Sequence, residues 1–73
     1  MQLELTNGWT LSIVPDLMDG FFSIAAWATS DNKSVASTDR KWFAFDGGRT
    51  EMRTNDITEL LKITALVVKG SNV

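Results

Sequence analysis

Cysteine, histidine and tyrosine are absent from the 73-residue sequence, and proline occurs once. Without cysteine there is neither a disulfide framework nor a thiolate zinc site. The fold therefore rests on its own apolar core or on a partner. Small cores lacking such staples supply only about 3–5 kcal/mol, so association with a second chain is a reasonable source of further stability. Without histidine the usual general base near neutral pH is missing. With cysteine and tyrosine also gone, catalysis would fall to Asp, Glu, Lys, Arg, Ser or Thr. The expectation is a protein that is not an enzyme and that carries no cofactor and no metal.

Positive charge is also scarce. Seven Lys and Arg stand against nine Asp and Glu, for a net charge of −2. No basic block occurs, so the electrostatic footprint of phosphate-backbone binding is missing and no direct contact with nucleic acid is expected. No apolar run approaches the ~20 residues of a membrane span. The start, Met1-Gln2-Leu3-Glu4, lacks the build of a signal peptide, so a cytoplasmic protein with no membrane contact is expected. With 44% hydrophobic and 22% charged residues the composition is that of an ordinary globular chain, and the length limits it to one domain over 1–73.

Against these absences stands a clear alternation. Leu3, Leu5, Trp9, Leu11 and Ile13 are apolar, whereas Gln2, Glu4, Thr6, Thr10 and Ser12 are polar, the period-2 pattern of half-buried strands. A two-residue Asn7-Gly8 turn would set apolar side chains opposite polar ones. A three-residue loop, Thr6-Asn7-Gly8, pairs Leu5 with Trp9 and Leu3 with Leu11 and keeps one apolar face, with Gly8 left-handed. Pro15 cannot donate to a central ladder and turn formers follow it, so the second strand is expected to end near Val14, with Leu17 and Met18 tucked back into the core. Phe21 to Thr29 forms a third strand. Ser30 to Asp39, polar except for Val35 and Ala36, reads as a long mobile loop. Arg40 to Asp46 forms a fourth strand, and Gly47 to Arg53 a charged connector.

Asp56-Ile57-Thr58-Glu59 has capping-box spacing, which starts a helix at Asn55 or Asp56. Ile57, Leu60, Leu61, Thr64, Val67 and Val68 form one broad stripe, with Thr58, Glu59, Lys62 and Lys69 opposite. Gly70 is the stop signal. Leu66-Val67-Val68 also has strand propensity, so a short fifth strand is the alternative for the last turn. The fold class predicted is α+β: a four-stranded antiparallel meander with one carboxy-terminal helix packed on one face.

In that fold the odd residues of the first hairpin join Phe22, Ile24, Phe43 and Phe45 under the helix. The other face carries Phe21, Ala25, Trp27, Trp42 and Ala44, with no second helix to bury them. Burying one such aromatic is worth about 1.5–3 kcal/mol, so an uncovered group of them calls for an explanation. The Ser30 to Asp39 loop could fold over them, a second copy of the chain could cover them, or they could bind a different protein.

The expected partner-binding residues are Phe21, Trp27, Trp42, Asp31 and Asp39. The acidic residues Asp16, Asp19, Asp31, Asp39 and Asp46 would meet basic groups on the partner. Such a chain fits an inhibitor or accessory factor, including a phage-encoded one that blocks a host nucleic-acid-binding complex. A structural homo-oligomer subunit, such as a homodimer, is the alternative, and a carbohydrate-binding surface built from Trp27 and Trp42 is the third. Asp16 with Asp19, and Asp46 with Glu51, read as solvated turn carboxylates before they read as a cation site. Asp46-Gly47-Gly48-Arg49 reads as a turn before it reads as an anion nest.

Overall fold

The structure, a computed structural model, describes residues 1–32 and 39–70. The first hairpin has the register that its alternation requires. β1 (Gln2–Glu4) pairs with β2 (Trp9–Asp16) so that Leu3 faces Leu11, and Leu5 N donates to Trp9 O at 2.8 Å. Gly8 closes the loop at φ 93°, a left-handed value that costs glycine nothing sterically. β2 then pairs antiparallel along its whole length with β3 (Phe21–Ala28). A fourth strand, β4 (Glu51–Thr54), and the helix α1 (Ile57–Lys69) complete the fold. The sheet is antiparallel in the order β1-β2-β3-β4, the meander expected.

β2 runs through Pro15 to Asp16, beyond the expected end at Val14. The N–H groups of odd-numbered β2 residues point toward β1, as the Ile13 N–H donating to Met1 O shows. Pro15 lies past the β1 register, in which Gln2 to Glu4 pair with Ser12 to Thr10, so no ladder hydrogen bond among the described residues needs the donor it lacks. Leu17 and Met18 do not tuck into the core. They stand 92% and 95% exposed on the turn between β2 and β3.

The fourth strand differs most from expectation. Arg40 to Asp46 is not a strand: only Trp42 bridges to β3, opposite Trp27, flanked by Phe43 N donating to Ala26 O and Ala28 N donating to Lys41 O. The chain then leaves the sheet, makes a 3-10 turn at Asp46–Gly48 and returns as Glu51–Thr54, largely within the segment expected to be a charged connector. Glu51 takes the place opposite Ala25. Two positions along β3, Trp27 to Ala25, are thus spanned by nine along the opposing chain, Trp42 to Glu51. Phe43 and Phe45 still fill the core, at 3% and 0% exposure. Their alternation is real, but Phe45 reaches the interior from an excursion and not from a ladder.

α1 begins where the spacing placed it. The Asp56 side chain accepts from Thr58 N at 2.8 Å, and Gly70 ends the helix at φ 92°. The segment Leu66-Val67-Val68 is therefore helical and not a fifth strand. The predicted stripe divides in two, and Ile63 and Leu66, which it did not include, join its buried half. Leu60, Ile63 and Val67 are buried and Leu66 packs against them, whereas Ile57, Leu61 and Val68 are 60–64% exposed. The helix rests on one sheet, so one row of its side chains is covered and the neighbouring row is not. α1 lies across β2, β3 and β4 over Leu11, Ile24, Ala26, Phe43 and Phe45. Asn7 ties its last turn to the first hairpin, donating to Val67 O at 2.8 Å and to Val68 O at 2.9 Å. Among the described residues no helix is long and apolar enough to cross a membrane.

Candidate functional site

The face of the sheet away from α1 carries the even residues of β2 and the odd residues of β3 and β4. Strand register sets Thr10 beside Trp27, Ser12 beside Ala25, Val14 beside Ser23 and Asp16 beside Phe21, with Arg53 and Glu51 next to Ser23 and Ala25. Four of the five expected partner-binding residues lie on or against this face, in two groups. Trp27, Trp42 and Asp31 are at one end, and Phe21 is at the other end of β3. Asp39 is exposed.

At the first end the chain covers part of its own face. After Ala28 it makes a 3-10 turn over Thr29–Asn32, and Asn32 becomes the hub of a polar network. Its Oδ1 accepts from Trp27 Nε1, and its Nδ2 donates to Thr10 Oγ1 at 3.0 Å and to Glu4 Oε1 at 3.1 Å. The Thr10 and Thr29 hydroxyls are bonded to one another at 3.0 Å. The Arg40 guanidinium lies 4.5 Å above the Trp27 ring, and Trp42 meets that ring edge-on at 5.6 Å. Asp31 accepts Lys41 N at 2.8 Å, which pins the Trp42 segment to the 3-10 turn. Trp27 is consequently only 5% exposed and Thr10 1%. The expectation that Trp27 is an uncovered ring is corrected: it is a buried, hydrogen-bonded structural residue. Trp42 stays half-buried.

Residues 33–38, including Val35 and Ala36, lie outside the described residues, so the loop expected there is covered by the structure only at its ends. Ala44 is exposed but sits off the ladder, because the chain has begun its excursion.

Phe21 is half-buried at the far end, with the Arg53 guanidinium 4.8 Å over its ring. Arg53 also donates to Asp19 at 2.8 Å and to Asp16 at 3.4 Å. These two carboxylates are thus engaged by a cation of the chain itself. Among the described residues no group of three or more carboxylate or other metal-binding side chains gathers.

Between the two ends runs a shallow groove of about 250 Å³ lined by Ser12, Val14, Ser23, Ala25, Trp27, Trp42, Thr50 and Glu51. Its floor is made of small side chains, Trp42 rises at one end, and Glu51 is the one ionisable group among the described lining residues. A second hollow, of about 320 Å³, lies between α1 and the excursion, with Phe45, Met52, Ile63 and Leu66 below and Asp46, Glu59 and Lys62 at its rim. The Glu51-Met52-Arg53-Thr54 alternation was a signal that could have placed β4, and with it Glu51 and Arg53, on the open face. No local signal marks Asn32 as the cover of Trp27. No known protein family, curated protein or solved structure matches the chain.

Proposed function

We propose that this chain is a non-enzymatic protein-interaction module whose partner lies along the open face of the sheet. The observation that carries this reading is the groove itself. A half-buried Trp42 stands beside a floor of Ser12, Ser23 and Ala25, which is the arrangement of an aromatic anchor next to a surface that a partner's backbone can approach closely. Glu51, the one ionisable group among the described lining residues of the groove, favours a partner with a basic group at that point of the contact. The aromatic pair does not offer a flat two-ring platform for a sugar, because Trp27 lies beneath Arg40 and meets Trp42 edge-on.

The test uses a partner captured on the immobilised protein and then purified. Ala25→Arg, which fills the groove from its floor, is expected to abolish binding, and Trp42→Ala to weaken it at least about tenfold, while both variants stay folded. If both bind as tightly as the parent, the open face is not the contact and the reading fails.

A second reading, a homo-oligomer subunit, is favoured by the exposed row of Ile57, Leu61 and Val68 on α1. These residues repeat at intervals of one and two helical turns, as a helix–helix seam does. Light scattering after size exclusion at two concentrations separates the readings: a monomer at both ends the oligomer. Self-association that Leu61→Lys removes establishes it.

A further inference from the structure

The turn between β2 and β3 holds Leu17 and Met18, 92% and 95% exposed, well beyond any other large apolar side chain of the described surface. A turn that only reverses the chain is served by Gly, Asn, Asp and Pro. This one is apolar at its tip and fixed at its base. Asp16 Oδ1 accepts from Met18 N at 3.0 Å and from Asp19 N at 3.3 Å, and Asp16 O accepts from Gly20 N at 2.8 Å. Gly20 takes φ 72° to close the turn. Arg53, reaching across from β4, binds the carboxylates of both Asp16 and Asp19.

Each of these exposed contacts contributes little to stability. Together they order the tip before any partner arrives, which removes part of the entropic cost of docking. A fixed convex pair of apolar side chains complements a concave apolar pocket. Two carboxylates share one guanidinium, so the collar of the tip keeps a net negative charge, which suits a basic rim and opposes an anionic lipid surface.

We infer that the turn Asp16 to Gly20 is a docking knob, which seats Leu17 and Met18 in an apolar pocket rimmed by lysine or arginine on the partner protein. This rests on the interaction-module reading, and it adds a second contact at the Phe21 end of the open face.

The experiment places the photoreactive residue p-benzoylphenylalanine at position 18, and separately at position 23 in the groove, in cells that carry the protein. The adducts are then mapped to peptides. The knob requires that position 18 attach to an apolar peptide bounded by Lys or Arg, on the same protein that position 23 attaches to. With that protein purified, Leu17→Ser combined with Met18→Ser is expected to lower affinity about 30-fold or more. The circular dichroism spectrum should not change, since neither side chain belongs to the core.

Adducts from position 23 without any from position 18, a pocket with an acidic rim, or unchanged affinity of the double variant would each overturn the knob and leave the module reading standing. No adduct from either position removes both. Sedimentation of the parent protein with phosphatidylcholine vesicles, lost in the double variant, would overturn the knob in favour of membrane insertion.

Discussion

Trp27 and Trp42 touch each other, yet they have different consequences for the molecule. Trp27 is sealed by Asn32, Arg40 and Trp42, and Trp27→Ala leaves a cavity with an orphaned network above it. It is expected to cost about 3–5 kcal/mol in urea denaturation. Trp42→Ala removes a half-buried ring and should cost about 1–2 kcal/mol. Asn32→Ala removes the acceptor of the Trp27 indole and the donor to buried Thr10. A loss of about 1–3 kcal/mol by the same measurement is expected, because buried polar groups are left unsatisfied. The alternation along Phe21 to Ala28 was enough to put Trp27 on the face away from the helix, but not to give its depth. That depth depends on Thr29 to Asn32 folding back and on Arg40 returning from farther along the chain, and neither leaves a local pattern in the residues.

Among the elements, the helix was the most legible because its ends are chemical signals. Asp56 caps it through Thr58 N and Gly70 closes it in the left-handed region. Asp56→Ala is expected to lower the melting free energy by about 1 kcal/mol. Gly70→Ala should cost a similar amount, about 1 kcal/mol, through backbone strain. A Cβ there would make only ordinary van der Waals contacts, with Asn7 Nδ2 at 3.8 Å and Trp9 Nε1 at 3.9 Å, so the cost is conformational and not a clash. Asn7→Ala removes both hydrogen bonds from the first hairpin to the last helical turn, and about 1–2 kcal/mol is expected to be lost.

The fourth strand departs from the sequence expectation for a physical reason. Phe43 and Phe45 alternate as strand residues do, since both must reach the core. Glu51 to Thr54 carries two charges on its solvent side, which made a half-buried strand resemble a connector. Periodicity reports which side chains are buried, and says nothing about whether the backbone bearing them is hydrogen-bonded to a neighbour.

At the scale of the molecule, one helix over four strands leaves the opposite face to be shaped by the chain's own returns. At one end the returns build a covered tryptophan and at the other an arginine-clamped turn, with small side chains between them. This is why the aromatic count alone overstated the uncovered area.

The break in the fourth strand carries a further consequence for motion. The free edge of β3 is closed by two separate lengths of chain, Lys41 to Phe43 and Glu51 to Thr54. The outer end of the first, Lys41 to Trp42, can therefore fray while Phe43 stays anchored in the core and the second stays zipped. Deuterium exchange should then show the amide of Ala28, bonded to Lys41 O, losing protection earlier than those of Phe43 and the Glu51–Thr54 ladder. Trp42 rides on the length that opens first, so the wall of the groove is the part of the sheet best able to yield to an incoming partner.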